Sequence, residues 1–242
     1  MTTATLTRTS GRRRDVGALT GVLYALFFVA SLVIIGTLSP SGTVTPYSSD
    51  AEVQAYRLKD PAKLEDLFRV LGLLQGVSAL ALLAFVPWLT AFVRRYGSGT
   101  RADVVRALAT VAGTLLLLSA STSWVLAQIG SRAQLSTYRA VSDLSFITGA
   151  GPAMAALGVA VFLVAATGRA SHALPAWVAW SGMVIGAAGV LSMSSLVAEG
   201  GSVFIPIGRF LGFAWFVALS VVLWRRGGRT DDLTGSSTPR HR

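Results

Sequence analysis

Cysteine is absent from the chain, which excludes disulfides, thiolate catalysis and cysteine-held metals. Histidine occurs only as His172 and His241, both in polar segments, so no imidazole lies within an apolar region. Lysine is almost missing: of 21 basic residues only Lys59 and Lys63 are lysines. That arginine bias is the compositional mark of a bacterium with a GC-rich genome. Charged residues make up 13% of the chain, against about 25% in a typical soluble domain. Paired metal-ligand motifs, a Gly-x-Ser-x-Gly elbow and a phosphate loop are also missing. No catalytic, cofactor-binding or metal-binding residue is assigned, and no cofactor is expected.

What the chain does have is 52% hydrophobic residues, gathered into six long runs. These cover about 16–38, 68–93, 103–127, 143–167, 174–197 and 204–224. Each reaches the roughly 20 apolar residues needed to cross a bilayer. Backbone in hydrocarbon must satisfy its own hydrogen bonds, so the runs predict helices; barrel strands would be shorter and alternating. The expected fold is all-α, a polytopic transmembrane bundle of six helices. A cytoplasmic basic tail over 1–15 precedes a single six-helix domain over 16–226, and a polar, disordered cytoplasmic tail over 227–242 follows. The first run is too long for the 7–15-residue core of a signal peptide, and no small-x-small cleavage site follows it. The residues after Arg12–Arg14 do not suit a twin-arginine signal either, so this run reads as an uncleaved span.

Arginine placement sets the sidedness. Arg8, Arg12, Arg13 and Arg14 precede the first run, and Arg94, Arg95, Arg101 and Arg106 flank the second gap. Arg169 lies in the fourth gap, and Arg225, Arg226, Arg229, Arg240 and Arg242 follow the last run. Four acids (Asp15, Asp103, Asp231, Asp232) share that side, which therefore carries the whole formal charge of +10. The other side balances seven basic residues with Asp50, Glu52, Asp60, Glu65, Asp66, Asp143 and Glu199. A multi-pass protein of the bacterial plasma membrane with both termini cytoplasmic is expected. The positive charge is dispersed around spans and not gathered in a folded basic module, so no nucleic acid is expected as a partner.

Local signals sharpen the outline. Thr100 and Asp103 read as a capping box at the third span, and Pro175 fits the first turn of the fifth. Trp88, Trp177, Trp180 and Trp224 mark cytoplasmic ends and Trp124 an outer end, whereas mid-span Trp215 should pack against another helix. Gly17/Gly21, Gly72/Gly76, Gly182/Gly186 and Gly208/Gly212 place small residues four apart, the spacing of close packing within one bundle. Pro152, in Gly149-Ala150-Gly151-Pro152, should kink the fourth helix, and Pro206 should do less. The gap at about 39–67 is the only sizeable external loop. Its stretch from Asp50 to Leu67, interrupted near Pro61, predicts a short helical cap over the outer face, covering Arg69 and Arg209.

Arg69, Arg139 and Arg209 stand 70 residues apart, each opening an even-numbered span on its outer side. This spacing is either the trace of a repeated hairpin or an accident of arginines marking span ends. With Asp143 and Glu199 they form a candidate outer polar cluster: Arg69, Arg139, Asp143, Glu199 and Arg209. The cluster either pins helix ends through ion pairs or forms a pocket for an anion or polar head group. Polar groups in the interior (Gln75, Ser78, Ser119, Ser121, Thr122, Ser123, Ser192, Ser194, Ser195) suit hydrogen bonds back to the helix or across to a neighbour or, less simply, a polar path.

The long outer loop, the segment Ser136-Thr137-Tyr138-Arg139-Ala140-Val141-Ser142-Asp143 before a Gly- and Pro-bearing span, and Arg209-Phe210-Leu211-Gly212 carry a resemblance. Over about 16–225 the chain resembles a bacterial family, of actinobacterial type, of six-span membrane proteins classed as a domain of unknown function. The resemblance implies the fold and brings no catalytic residues. The function expected is that of a non-enzymatic accessory, sensory or stress-related bundle, seated in the lipid bilayer, with a protein partner or lipid at its outer pocket. A small-solute transporter or channel is the alternative, and an intramembrane enzyme a distant third. Oligomeric state is left open.

Overall fold

A computed structural model describes residues 16–39, 44–130 and 132–226 of the chain. Both terminal tails, 1–15 and 227–242, lie outside the described residues. Every regular element among the described residues is a helix, and six helical spans are long and apolar enough to cross a membrane. The protein is an all-α, multi-pass bundle.

A 3-10 turn (Val16–Leu19) leads into α1 (Thr20–Leu38). This helix is apolar all round: Tyr24, Ala25 and Phe28 are buried, while Leu23, Leu26 and Val33 on its other face are exposed. Such a helix suits a site between protein and lipid, not water. α2 (Asp50–Lys59) is short and polar, with acids in its first turn and Arg57 and Lys59 in its last, matching the helix dipole. Ser49 caps it reciprocally with Glu52, as in a capping box. Asp60 interrupts the chain and caps α3 (Pro61–Tyr96) by accepting a bond from the Lys63 N–H at 3.1 Å. At 1.5 Å per residue these 36 residues span about 54 Å, so the first turns of α3 stand clear of the apolar run that begins near 68. Pro87 lies inside α3.

α4 (Gly99–Ile129) is capped by Ser98, which accepts from the Arg101 N–H at 3.3 Å. The expected box at Thr100 and Asp103 is therefore displaced: Thr100 is already helical, and Asp103 faces Arg94 and Arg106. The fourth span does not merely kink. It breaks at Ala150 (φ −105, ψ −98) into α5 (Leu135–Gly149) and α6 (Gly151–Ala170), with Pro152 in the first turn of α6. Pro152 has no N–H to offer the preceding turn, and a new helix begins instead. This break has no counterpart 70 residues on, at Ser220, which lies inside α8 (Phe204–Arg226). Pro175 occupies the cap position of α7 (Ala176–Leu191), one residue before its first turn. Two 3-10 segments, Ser192–Leu196 and Glu199–Val203, then link α7 to α8.

Successive spans pack side by side, and α8 returns to α1 to close the ring. The four glycine pairs all meet neighbours within this chain. Between α6 and α7 the approach is backbone to backbone: a Cβ at Gly158 would stand 2.6 Å from the Gly186 carbonyl oxygen. Tyr24, Phe28, Phe213 and Phe216 form an aromatic cluster between α1 and α8, with ring centroids 5.1–5.6 Å apart. Mid-span Trp215 is buried and donates its indole N–H to the Val178 carbonyl at 2.8 Å.

Candidate functional site

The five candidate residues and the irregular segments lie toward one end of the bundle, the end bearing α2. Arg139 lies in the second turn of α5, and its guanidinium reaches back across the loop before α2. It pairs with the Asp50 carboxylate and donates to the carbonyls of Pro46 (3.1 Å) and Ser48 (2.8 Å). Asp143, one turn on, stands 3.8 Å away. Four further contacts fasten the same segment. Arg57 donates to the Ala133 carbonyl at 2.6 Å and lies over the Tyr138 ring at 5.3 Å. Tyr47 donates to the Ser195 carbonyl at 2.6 Å, and the Ser39 and Tyr56 hydroxyls meet at 2.9 Å. Residues 44–59 thus form a strap tied to α5, to the 3-10 segment after α7 and to the end of α1. The exposed Glu52 carboxyl is held below its ordinary range by the Ser49 backbone N–H and then by the Ser49 hydroxyl.

Arg209, in the second turn of α8, sits deeper and only partly exposed. It donates to the Gly149 carbonyl and lies 4.9 Å over the Phe28 ring. Gly149 is the last residue of α5, so its carbonyl is one that the break leaves without a helical partner. A guanidinium there satisfies the oxygen and opposes the negative end of the α5 dipole. Among the described residues no carboxylate comes within 4 Å of Arg209. Arg209 shares a small cavity with Tyr24, Met154, Gly158, Gly208 and Phe216, which leaves about 10 Å³ for water centres. That is room for about one water molecule. Ser31 and Ser78 donate to the Phe28 and Tyr24 carbonyls at 2.7 Å each, fixing the stretch of α1 that faces Arg209.

The five candidate residues therefore do not form one cluster. Arg139 and Asp143 stay together. Arg69 pairs within its own helix, with Glu65 at 2.6 Å and Asp66 at 3.6 Å, and its side chain is 49% exposed. Arg209 joins α5 to α8. Glu199 opens a 3-10 segment, and its side chain lies outside the described residues. The strap crosses α5 and leaves Arg69 open, contrary to the cover expected over that residue. The physical reason is that Arg139 offers donors matched to a carboxylate and two carbonyls, whereas Arg69 is already paired locally. Tyr47 and Arg57 were not readable as site residues, because their acceptors are backbone carbonyls 148 and 76 residues away.

Most of the hydroxyls expected in the interior are engaged with backbone, Ser121 and Ser194 from exposed positions, whereas the buried Ser195 hydroxyl has no hydrogen-bond partner among the described residues. Ser119 donates to the Ser145 carbonyl at 2.7 Å, Thr122 to the Ser119 carbonyl at 2.8 Å and Ser192 to the Gly189 carbonyl at 2.6 Å. Gln75 reaches the Ser31 hydroxyl at 3.4 Å. They seam α4 to α5 and α3 to α1. Among the described residues no three His, Asp or Glu are placed to share a metal ion.

Comparison with protein-family models, curated proteins and solved structures returns no match.

Proposed function

We propose that this chain is a non-enzymatic accessory or sensory membrane bundle, whose strapped end faces outward and meets a ligand or partner at the Arg139–Arg209 region. The observation that carries the reading is the closed core. The cavity beside Arg209 and a second one beside Arg57 and Tyr138 each have room for about one water. Ser119, Thr122 and Ser123, which could have lined a polar path, bond instead to helix carbonyls. The charged groups lie toward the two ends, and the near-balanced end is the one built into a strap and pocket. The arginine asymmetry favours both termini in the cytoplasm.

One observation favours a second reading, a small-solute transporter. A discontinuous helix at membrane depth, with a charged side chain on its freed carbonyl, is a feature of transporter binding sites. Here the strap would act as the outer gate.

The absence of cysteine makes both readings testable by thiol labelling. Single variants Lys63→Cys and Gly200→Cys should react with an impermeant reagent from outside intact cells, and Ser98→Cys only after lysis. Ser78→Cys and Ser123→Cys, both in the core, should resist small thiol reagents from either side. Labelling of the core variants in membranes would overturn the closed-bundle reading in favour of transport, and the reverse pattern at the ends would overturn the sidedness.

A further inference from the structure

The end opposite the strap carries an unbalanced charge. Arg94, Arg95, Arg101, Arg106, Arg169 and Arg225 are all exposed there, and Asp103 is the one carboxylate among the described residues. Asp103 is shared by Arg94 at 2.9 Å and Arg106 at 3.4 Å. Arg95, Arg101 and Arg169 have no carboxylate partner among the described residues. Two turns bring these cations together. Gly97, between α3 and α4, lies so close to α6 that a Cβ there would stand 3.0 Å from Thr167 Cγ2. The turn bearing Arg95 and Arg101 thus abuts the last turn of α6, which bears Arg169.

The α6–α7 connection adds an aromatic floor. It doubles back sharply: His172 takes a left-handed conformation (φ 54), and the Leu174 N–H returns to the Gly168 carbonyl at 3.2 Å. This places Trp177 and Trp180, three residues apart on one helix face, just beyond Arg169. The Arg169 guanidinium lies 5.8 Å over the Trp180 ring. Trp177 is 65% exposed and Trp180 57%. Indole side chains so exposed belong at the level between acyl chains and head groups, where one edge is wet and the other apolar. An arginine rising from that level meets phosphate, and its planar fork suits phosphate oxygens.

We propose that these two turns form a binding site for an anionic phospholipid, with Arg101 and Arg169 on the phosphate and Trp177 and Trp180 at the glycerol level. Charge decides the class of lipid. A zwitterionic head group brings its own cation beside three uncompensated arginines, whereas a phosphatidylglycerol-type head group does not. The strapped end offers no such selectivity, because Arg69 already faces Glu65 and Asp66.

The test uses the full-length protein in vesicles of phosphatidylcholine containing brominated phosphatidylglycerol or brominated phosphatidylcholine, with tryptophan quenching as the readout. Brominated phosphatidylglycerol should quench more strongly at equal mole fraction, and added salt should reduce the difference. Arg101→Gln and Arg169→Gln should each weaken the preference by about fivefold, the effect of one basic residue near an anionic surface. Arg69→Gln should leave it unchanged. Arg101 is exposed, so its variant keeps the test open if Arg169→Gln proves unstable. Equal quenching by the two lipids, or an equal loss with Arg69→Gln, would overturn the proposal. So would displacement by inorganic phosphate beyond that by chloride at matched ionic strength, which would point to a soluble anion instead of a lipid.

Discussion

Arg209 holds the freed end of a broken helix and, among the described residues, has no acidic partner of its own. Its guanidinium is bound by a carbonyl and an aromatic face, so its role should respond to shape as well as charge. Arg209→Leu should cost about 1–3 kcal/mol, the usual loss when a buried acceptor is left unsatisfied. Arg209→Lys should recover only part of that, because an ammonium cannot lie flat over Phe28 while reaching the Gly149 carbonyl. Thermal unfolding in micelles checks both, and equal melting of all three proteins would remove the cap from the account. An arginine near the start of the last span was visible in the sequence. Its partner was not, because a backbone carbonyl has no letter of its own and is exposed here only by the break at Ala150. The same holds for Tyr47 and Arg57, whereas Trp215 could be placed from its mid-span position alone.

At the scale of elements, α6 and α7 touch backbone to backbone. Gly158→Ala should cost roughly 1–3 kcal/mol, since the added methyl meets main chain that cannot give way. Gly36→Ala, where nothing lies within 4 Å, should be tolerated, and comparing the two melting temperatures isolates the packing effect. α2 has a different weak point. Its cap needs Glu52 ionised, and the folded carboxyl titrates below its unfolded value. The contribution is therefore complete above the ordinary glutamate range and is lost as pH falls through the lowered value. Amide exchange along 50–59 should quicken in that acid window, and Glu52→Gln should flatten the pH dependence. The spans and the glycine pairs were legible because apolar length and small-residue spacing are local properties. Pro152 likewise signalled a disturbance in the fourth span. The strap's attachment was hidden, because it depends on Arg139 meeting Asp50, 89 residues earlier in the chain.

At the scale of the whole molecule, the ring of spans closes through the last helix. Phe213 and Phe216 complete the aromatic cluster begun by Tyr24 and Phe28. Removing α8 should therefore expose the buried face of α1 as well as that of α7, and a chain ending near residue 200 should be cleared from the membrane far faster than the full protein. Pulse-chase measurement of the two lifetimes checks this, and similar lifetimes would show that the remaining spans hold without their closing member. The same closure sets an order on biosynthesis. α1 precedes α8 in the chain, so its aromatic face waits through the synthesis of about 185 intervening residues for its partner to be made. Until Phe213 and Phe216 emerge, Tyr24 and Phe28 must rest against lipid or against a chaperone within the bilayer. The contact between α1 and α8 thus forms only after the four intervening spans have left the ribosome, which makes it a late event in the assembly of the described bundle.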